Sequence, residues 1–148
     1  MSQFDSLIIG EVAQDTNVDY DGTTVHAVGG AVYYSGFAAA NTGHKTAVLP
    51  KADTAQVDLA AAFAPAPNVT VYPLHSRTSF VTKNVYHTPD RERRTSTVDS
   101  VIEPYRTEEV PDIDAGIWHL AGLAAGIPAK EVPGLTAVDS PKPVYKTS

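Results

Sequence analysis

The chain has 148 residues, 43% of them hydrophobic and 19% charged, with a formal net charge of −6 and a pI of about 5.2. That is enough chain for one domain with its own core and too apolar for a disordered segment; the acidity argues against a nucleic-acid binder, which usually shows a basic face, while leaving room for local basic patches. The lack of cysteine rules out disulfides and thiolate metal sites and is compatible with a reducing compartment.

At the N-terminus, MSQFDSLIIG places Asp5 where a signal peptide needs positive charge. Ser6–Val12 is a short apolar run, the pattern of a strand buried on both faces of a parallel sheet. Thr16–Val28 is polar and β-branched with an Asp21-Gly22 turn signal, and reads as an exposed hairpin. A helix is expected from Ala31, slim enough at Ala38, Ala39 and Ala40 to lie close to a sheet, with Gly43 as its C-cap. Lys45–Ala52 predicts a second buried strand, Asp53–Ala64 an amphipathic helix capped by Asp53 or Thr54, and Asn68–Leu74 a third strand.

The character then changes. Thr78–Val101 is a long polar hairpin turning at Pro89-Asp90, with Phe80, Thr82, Asn84 and Tyr86 on one face and Val81, Lys83, Val85 and His87 on the other. Neither face is apolar enough for a core. Thr107–Ala115 reads as a capped turn or short helix, Gly116–Leu123 as a fourth buried strand, Pro128–Val132 as a short helical piece, Leu135–Ser140 as a fifth strand and 141–148 as a loose tail. The apolar stretch Ala115–Ala129 is glycine-broken and shorter than the roughly 20 residues that span a bilayer. A soluble, cytoplasmic protein is expected, with neither membrane nor nucleic acid as partner. Buried strands alternating with helices predict an α/β core with a mainly parallel sheet. The two polar hairpins, about residues 13–28 and 78–102, project from it as a small β-layer.

Gly29 and Gly30 stand immediately before the first helix. A helix N-terminus carries unpaired N–H groups and partial positive charge, and glycines there leave those amides open to a ligand's oxygens. The same pair also suits a tight strand-to-helix turn that binds nothing. Five histidines show no metal-ligand spacing. Arg91, Arg93 and Arg94 flank the second hairpin turn, as solvated charges or as a cationic tip for an anionic ligand. Trp118 reads as core, and Asp112 and Asp114 as exposed loop residues.

In order and spacing, LIIGEVAQDTNVDYDG, AVGGAVYYSGFAAANTGHKTAVLPKAD, TSFVTKNVY, RRTSTV and GIWHLAGL resemble the N-terminal half of the ribokinase-like (PfkB-type) carbohydrate kinases, from Phe4 to Leu123. The resemblance implies a three-layer α/β core with a projecting β-lid that closes over the acceptor. It implies a substrate site of Asp15, Gly29, Gly30, Tyr34 and Asn84, with Asp15 accepting hydrogen bonds from substrate hydroxyls. Asp15 on its own also reads as a turn or capping residue, and the hairpins as ordinary edge strands. Ribokinase has asparagines where this chain has Ala13 and Tyr34, which favours another sugar, a nucleoside or a polyol over ribose. ATP and Mg²⁺ are the family's cofactors. Its GAGD-type segment, which supplies the general base, has no match in 1–148. The chain is therefore expected to lack the C-terminal nucleotide-binding part, to contribute no catalytic residue or metal ligand, and to be inactive alone. An exposed sheet edge and the lid strands predict a homo-oligomer. Two alternatives stand beside this reading: a non-catalytic binding or assembly module derived from the fold, and a dinucleotide enzyme, whose G-x-G-x-x-G after the first strand GEVAQD does not provide.

Overall fold

The computed structural model describes residues 3–122 and 137–139. Two sheets make up the architecture. The core sheet runs in the order β10-β9-β1-β4-β5 and is parallel throughout, from β1 (Phe4–Glu11), β4 (Thr46–Ala52), β5 (Val69–Val71), β9 (Ala115–Ala121) and β10 (Ala137–Asp139), with β6 (Leu74–His75) also pairing with β4. The second sheet runs β3-β2-β7-β8, from β2 (Ala13–Val18), β3 (Thr24–Gly29), β7 (Phe80–Tyr86) and β8 (Arg94–Ser100). The two polar hairpins thus join into one lid, because β2 and β7 pair in parallel, Asp15 opposite Thr82 and Asn17 opposite Asn84. The first hairpin begins at Ala13, earlier than Thr16, so β1 passes into the lid across Val12 alone.

The continuous apolar run of β1 is explained by burial on both faces. Leu7 and Ile9 pack with Ala47, Leu49, Ile102, Tyr105 and Leu120. Ile8 and Val12 pack on the other face with Val32, Val48 and Phe63. Helices α1 (Ala31–Asn41) and α2 (Leu59–Phe63) cover that second face, and the segment 101–114 covers the first, making three layers. The close approach of α1 is made by Gly36, where a Cβ would lie 3.0 Å from Phe63 and 3.1 Å from Val48. Ala38, expected to serve there, is exposed. The C-cap of α1 is Thr42, one residue before the expected Gly43, which follows it with φ +82°. Trp118 packs against the core, and Asp112 and Asp114 are exposed.

Two predicted elements are shorter. The Asp53–Ala64 helix begins only at Leu59, capped by Asp58, whose carboxylate accepts from the Ala61 N–H. Asp53 instead bends its own backbone, its carboxylate accepting from the Ala55 N–H at 3.0 Å. The Asn68–Leu74 strand divides into β5 and β6 around Tyr72-Pro73, since proline has no N–H to continue the ladder. The predicted helical piece Pro128–Val132 and the 141–148 tail lie outside the described residues; of Leu135–Ser140, Ala137–Asp139 form β10.

Lys51, inside a run otherwise reading as core, is 2% exposed. Its ammonium donates to Glu109 at 2.9 Å and to the Pro104 carbonyl at 3.1 Å, and lies 5.2 Å from the Tyr105 ring centre. Glu109 belongs to a 3₁₀ turn, Thr107–Glu109, so this pair ties the segment beyond the lid to the carboxyl end of β4. Burial pushes the Glu109 carboxyl up, but the Arg106 N–H and the hydrogen-bonded Lys51 charge outweigh it and hold the group below its ordinary 4.5. Burial, with the nearby Glu11 charge, pushes the Tyr105 hydroxyl well above its ordinary range.

Glu109→Gln leaves a buried lysine without its counter-charge and should cost about 2–3 kcal/mol in urea unfolding, with Lys51→Met plus Glu109→Leu recovering most of the loss. A depressed carboxyl stabilises above its unfolded value and loses that contribution as pH falls through its folded one. The wild-type chain should therefore lose stability below about pH 4.5 more steeply than Glu109→Gln. Equal stability of the two at neutral pH would refute this role for the Lys51–Glu109 pair.

Candidate functional site

The site lies where the lid meets the core. β1 enters the lid through Glu11–Ala13, and β3 leaves it through Gly29-Gly30 into α1. The two crossings touch. A Cβ on Gly30 would lie 2.7 Å from the Glu11 carbonyl oxygen and 2.9 Å from the Ala13 nitrogen, and Gly30 has φ +100°, ψ 157°. Only glycine occupies that conformation without strain.

Gly29 serves a different need. A Cβ there would lie within 2.4 Å of Asp15 Oδ2 and 3.5 Å from the Tyr34 hydroxyl. Asp15 and Gly29 are diagonal neighbours on one face of the β2–β3 pair. The missing side chain lets the carboxylate settle over the strand end, so what lies directly on Gly29 is Asp15 itself. On the other side, Thr82 of β7 donates its hydroxyl to Asp15 Oδ1 at 2.5 Å. One carboxylate oxygen is thereby fixed, and the other lies over Gly29, the glycine that the Tyr34 hydroxyl also approaches. Asp15 is half-buried, while Tyr34, in the first turn of α1, is 63% exposed. The Tyr34 ring is edge-on to Tyr33, 5.4 Å between centres, and Tyr33 packs on Phe37 and Phe63. No side chain caps the first turn of α1.

Of the residues expected at the site, Asp15, Gly29 and Tyr34 converge. Gly30 lies beneath them against backbone. Asn84 sits on the same lid face, further from the core, donating to Asn17 Oδ1 at 3.0 Å and accepting from the Ser96 hydroxyl at 2.7 Å. Thr82, Asn17 and Ser96 were not singled out by the sequence; their types fit any polar strand, and only the cross-strand register brings them to Asp15 and Asn84. Arg91 pairs with Asp19 of the opposite hairpin at 2.6 Å and stacks on Tyr86, joining the two lid tips. The Arg91 hydrogen bond, aided by the Tyr20 N–H, holds the Asp19 carboxyl below its ordinary value. Among the described residues no group of three His, Cys, Asp or Glu side chains could hold a metal ion, and no helix is long and apolar enough to cross a membrane.

No protein-family model matches the chain, and no curated protein matches it in sequence. Solved structures do. A pyrophosphate-dependent kinase in the ribokinase family, complexed with a pyrophosphate analogue and myo-inositol, is 27% identical, with 78% of this chain and 39% of that one covered and a TM-score of 0.64. A pyrophosphate-dependent myo-inositol-1 kinase, converted into a myo-inositol-3 kinase by exchanging one asparagine and one serine for leucine, is 22% identical, with 78% and 38% covered and a TM-score of 0.61. The fructokinase of Xylella fastidiosa with bound ATP is 17% identical, with 79% and 42% covered and a TM-score of 0.63. This chain spans about two fifths of the length of these proteins.

The two glycines should respond differently to alanine. Gly30→Ala meets backbone on both sides and a positive φ, and should cost about 2 kcal/mol or more in denaturant unfolding. Gly29→Ala should cost less stability and instead displace the Asp15 carboxylate, read as a change in Asp15 side-chain NMR couplings. Similar stability losses with an unmoved Asp15 would contradict the division of roles.

Proposed function

We propose that this chain, which carries the ribokinase-like fold, is the acceptor-binding portion of a kinase that phosphorylates a hydroxyl of a sugar or cyclic polyol. The observation that carries the reading is the Asp15 carboxylate, held by Thr82 over Gly29, with the hydroxyl of the exposed Tyr34 beside the same glycine. An ionised carboxylate accepts two or more O–H donors with charge-assisted bonds. An exposed phenol ring gives the apolar face of a sugar or polyol ring a surface to lie on. The lid supplies a polar ceiling that can exclude water on closing. Greater identity to the kinase complexed with myo-inositol than to the fructokinase, 27% against 17%, favours a cyclic polyol.

In the transfer, the acceptor hydroxyl oxygen forms a bond to phosphorus, the donor's phosphoanhydride P–O bond breaks, and the hydroxyl proton passes to a general base of the donor-binding portion. Asp15 orients the acceptor, and the uncapped amides of α1 favour the negative charge approaching them. The donor is a phosphoanhydride, ATP or pyrophosphate. No step is assigned to Mg²⁺, since no cluster of three His, Cys, Asp or Glu side chains stands among the described residues. The lid also supports self-association: its edge strands β3 and β8 are exposed, with Val25 55% and Val98 51% accessible on the face that Asp15 shares.

In an enzyme carrying both portions, Asp15→Ala should lower kcat/KM by the equivalent of roughly 2–5 kcal/mol while moving Tm by only a few degrees. Unchanged kcat/KM in a destabilised protein would make Asp15 structural. By light scattering at high micromolar concentration the chain should be a dimer or larger; a sharp monomer would remove the lid from consideration as an interface.

A further inference from the structure

We propose that Thr82 is a positioning residue of the acceptor site: from the second hairpin it sets the direction of a carboxylate that belongs to the first. This rests on the acceptor reading of Asp15 and adds how that group is aimed. Asp15 lies on β2, and Thr82, 67 residues further along the chain, lies beside it on β7. The two strands are parallel and come from different hairpins, so no tight turn fixes one against the other. Their ladder runs from Ala13 opposite Phe80 to Val18 opposite Val85. Three side-chain ties cross between the hairpins: Asp15 with Thr82 nearest the core, then Asn17 with Asn84, and Asp19 with Arg91 at the tip.

Two features suit Thr82 to this role. Two heavy atoms on its Cβ restrict χ1, which limits the directions open to its hydroxyl. The β7–β8 ladder also changes register at this residue. Val81 lies opposite Ser100 and Thr82 opposite Val98, so Asp99 is an extra residue on β8. Such a bulge bends the strand, increases the local twist and re-aims the side chains beside it. An ionised carboxylate only accepts hydrogen bonds, through two oxygens. Thr82 takes Oδ1 at 2.5 Å, and Oδ2 is left over Gly29. Without the threonine hydroxyl the carboxylate turns about its own side-chain bonds, and Oδ2 is no longer held over the glycine. An acceptor hydroxyl then meets a carboxylate averaged over several directions. The second hairpin must therefore be seated against the first before Asp15 is in position.

The test uses the 148-residue chain with myo-inositol as the probe. Thr82→Val keeps the shape and loses the hydroxyl; Thr82→Ser keeps the hydroxyl on a freer side chain. Thr82→Val should weaken calorimetric binding about tenfold and turn the Asp15 Hα–Hβ couplings from those of one rotamer to averaged values. Thr82→Ser should stay within about threefold of wild type. In an Asp15→Ala background, Thr82→Val should have no further effect on binding. Arg91→Gly removes the tip tie and relieves a backbone φ of 59°; it should leave both affinity and couplings unchanged. Unaltered Asp15 couplings in Thr82→Val, an equal loss in Arg91→Gly, or a loss that persists without Asp15 overturns the proposal and leaves the acceptor site standing. Undiminished binding in Asp15→Ala, or no binding to the wild-type chain at millimolar concentration, overturns the acceptor reading and the proposal with it.

Discussion

The structure depends on a backbone contact that admits no side chain. Where the chain leaves the core sheet for the lid and where it returns, the two crossings lie against each other, Gly30 on the Glu11 carbonyl and the Ala13 nitrogen. That contact sets how the lid stands on the core. It also places the first turn of α1 beside β2, and so brings Tyr34 to Asp15. A larger residue at position 30 would push lid and helix apart, and the groups that converge above Gly29 would part with them. The pair of glycines is therefore two devices: one closes the junction, and the other makes room for a carboxylate.

The lid is held at its base by polar contacts as well. Ser79 accepts from the Asp53 N–H, and its carbonyl accepts from the Ser100 hydroxyl. Ser76, fully buried, accepts from the Glu103 N–H. Below them, Lys51 and Glu109 fasten the departing segment to β4. Buried ion pairs are weak sources of net stability but are costly to break on one side, so this arrangement favours one placement of 101–110 over others. At the far end, Arg91 and Asp19 join the two hairpin tips. The four strands thus form one panel, fixed at the bottom and tied at the top, on which the Asp15 and Asn84 positions keep their spacing.

Much of this was legible in the sequence. The apolar runs within β1 and β4 read correctly as doubly buried strands, and the polar alternation of β7 as a layer outside the core. The likeness to the ribokinase-like kinases is carried by the solved structures. What escaped depends on partners distant in sequence. Lys51 in an apolar run signals a buried counter-charge, but nothing local identifies Glu109, 58 residues away. Asp53 looks like a helix cap because Asx turns and N-caps use the same carboxylate-to-amide bond. Thr82, Asn17 and Ser96 gain meaning only through the strand register that brings them to Asp15 and Asn84.

The central claim is that the surface around Asp15, Gly29 and the start of α1 receives the acceptor. Amide chemical-shift mapping of the isotopically labelled chain during titration with myo-inositol tests it most directly. The account predicts saturable shifts at Asp15, Gly29, Ala31–Tyr34, Thr82 and Asn84, with β5, β6 and α2 unaffected. Shifts confined to other surfaces, or none at saturating polyol, would contradict it.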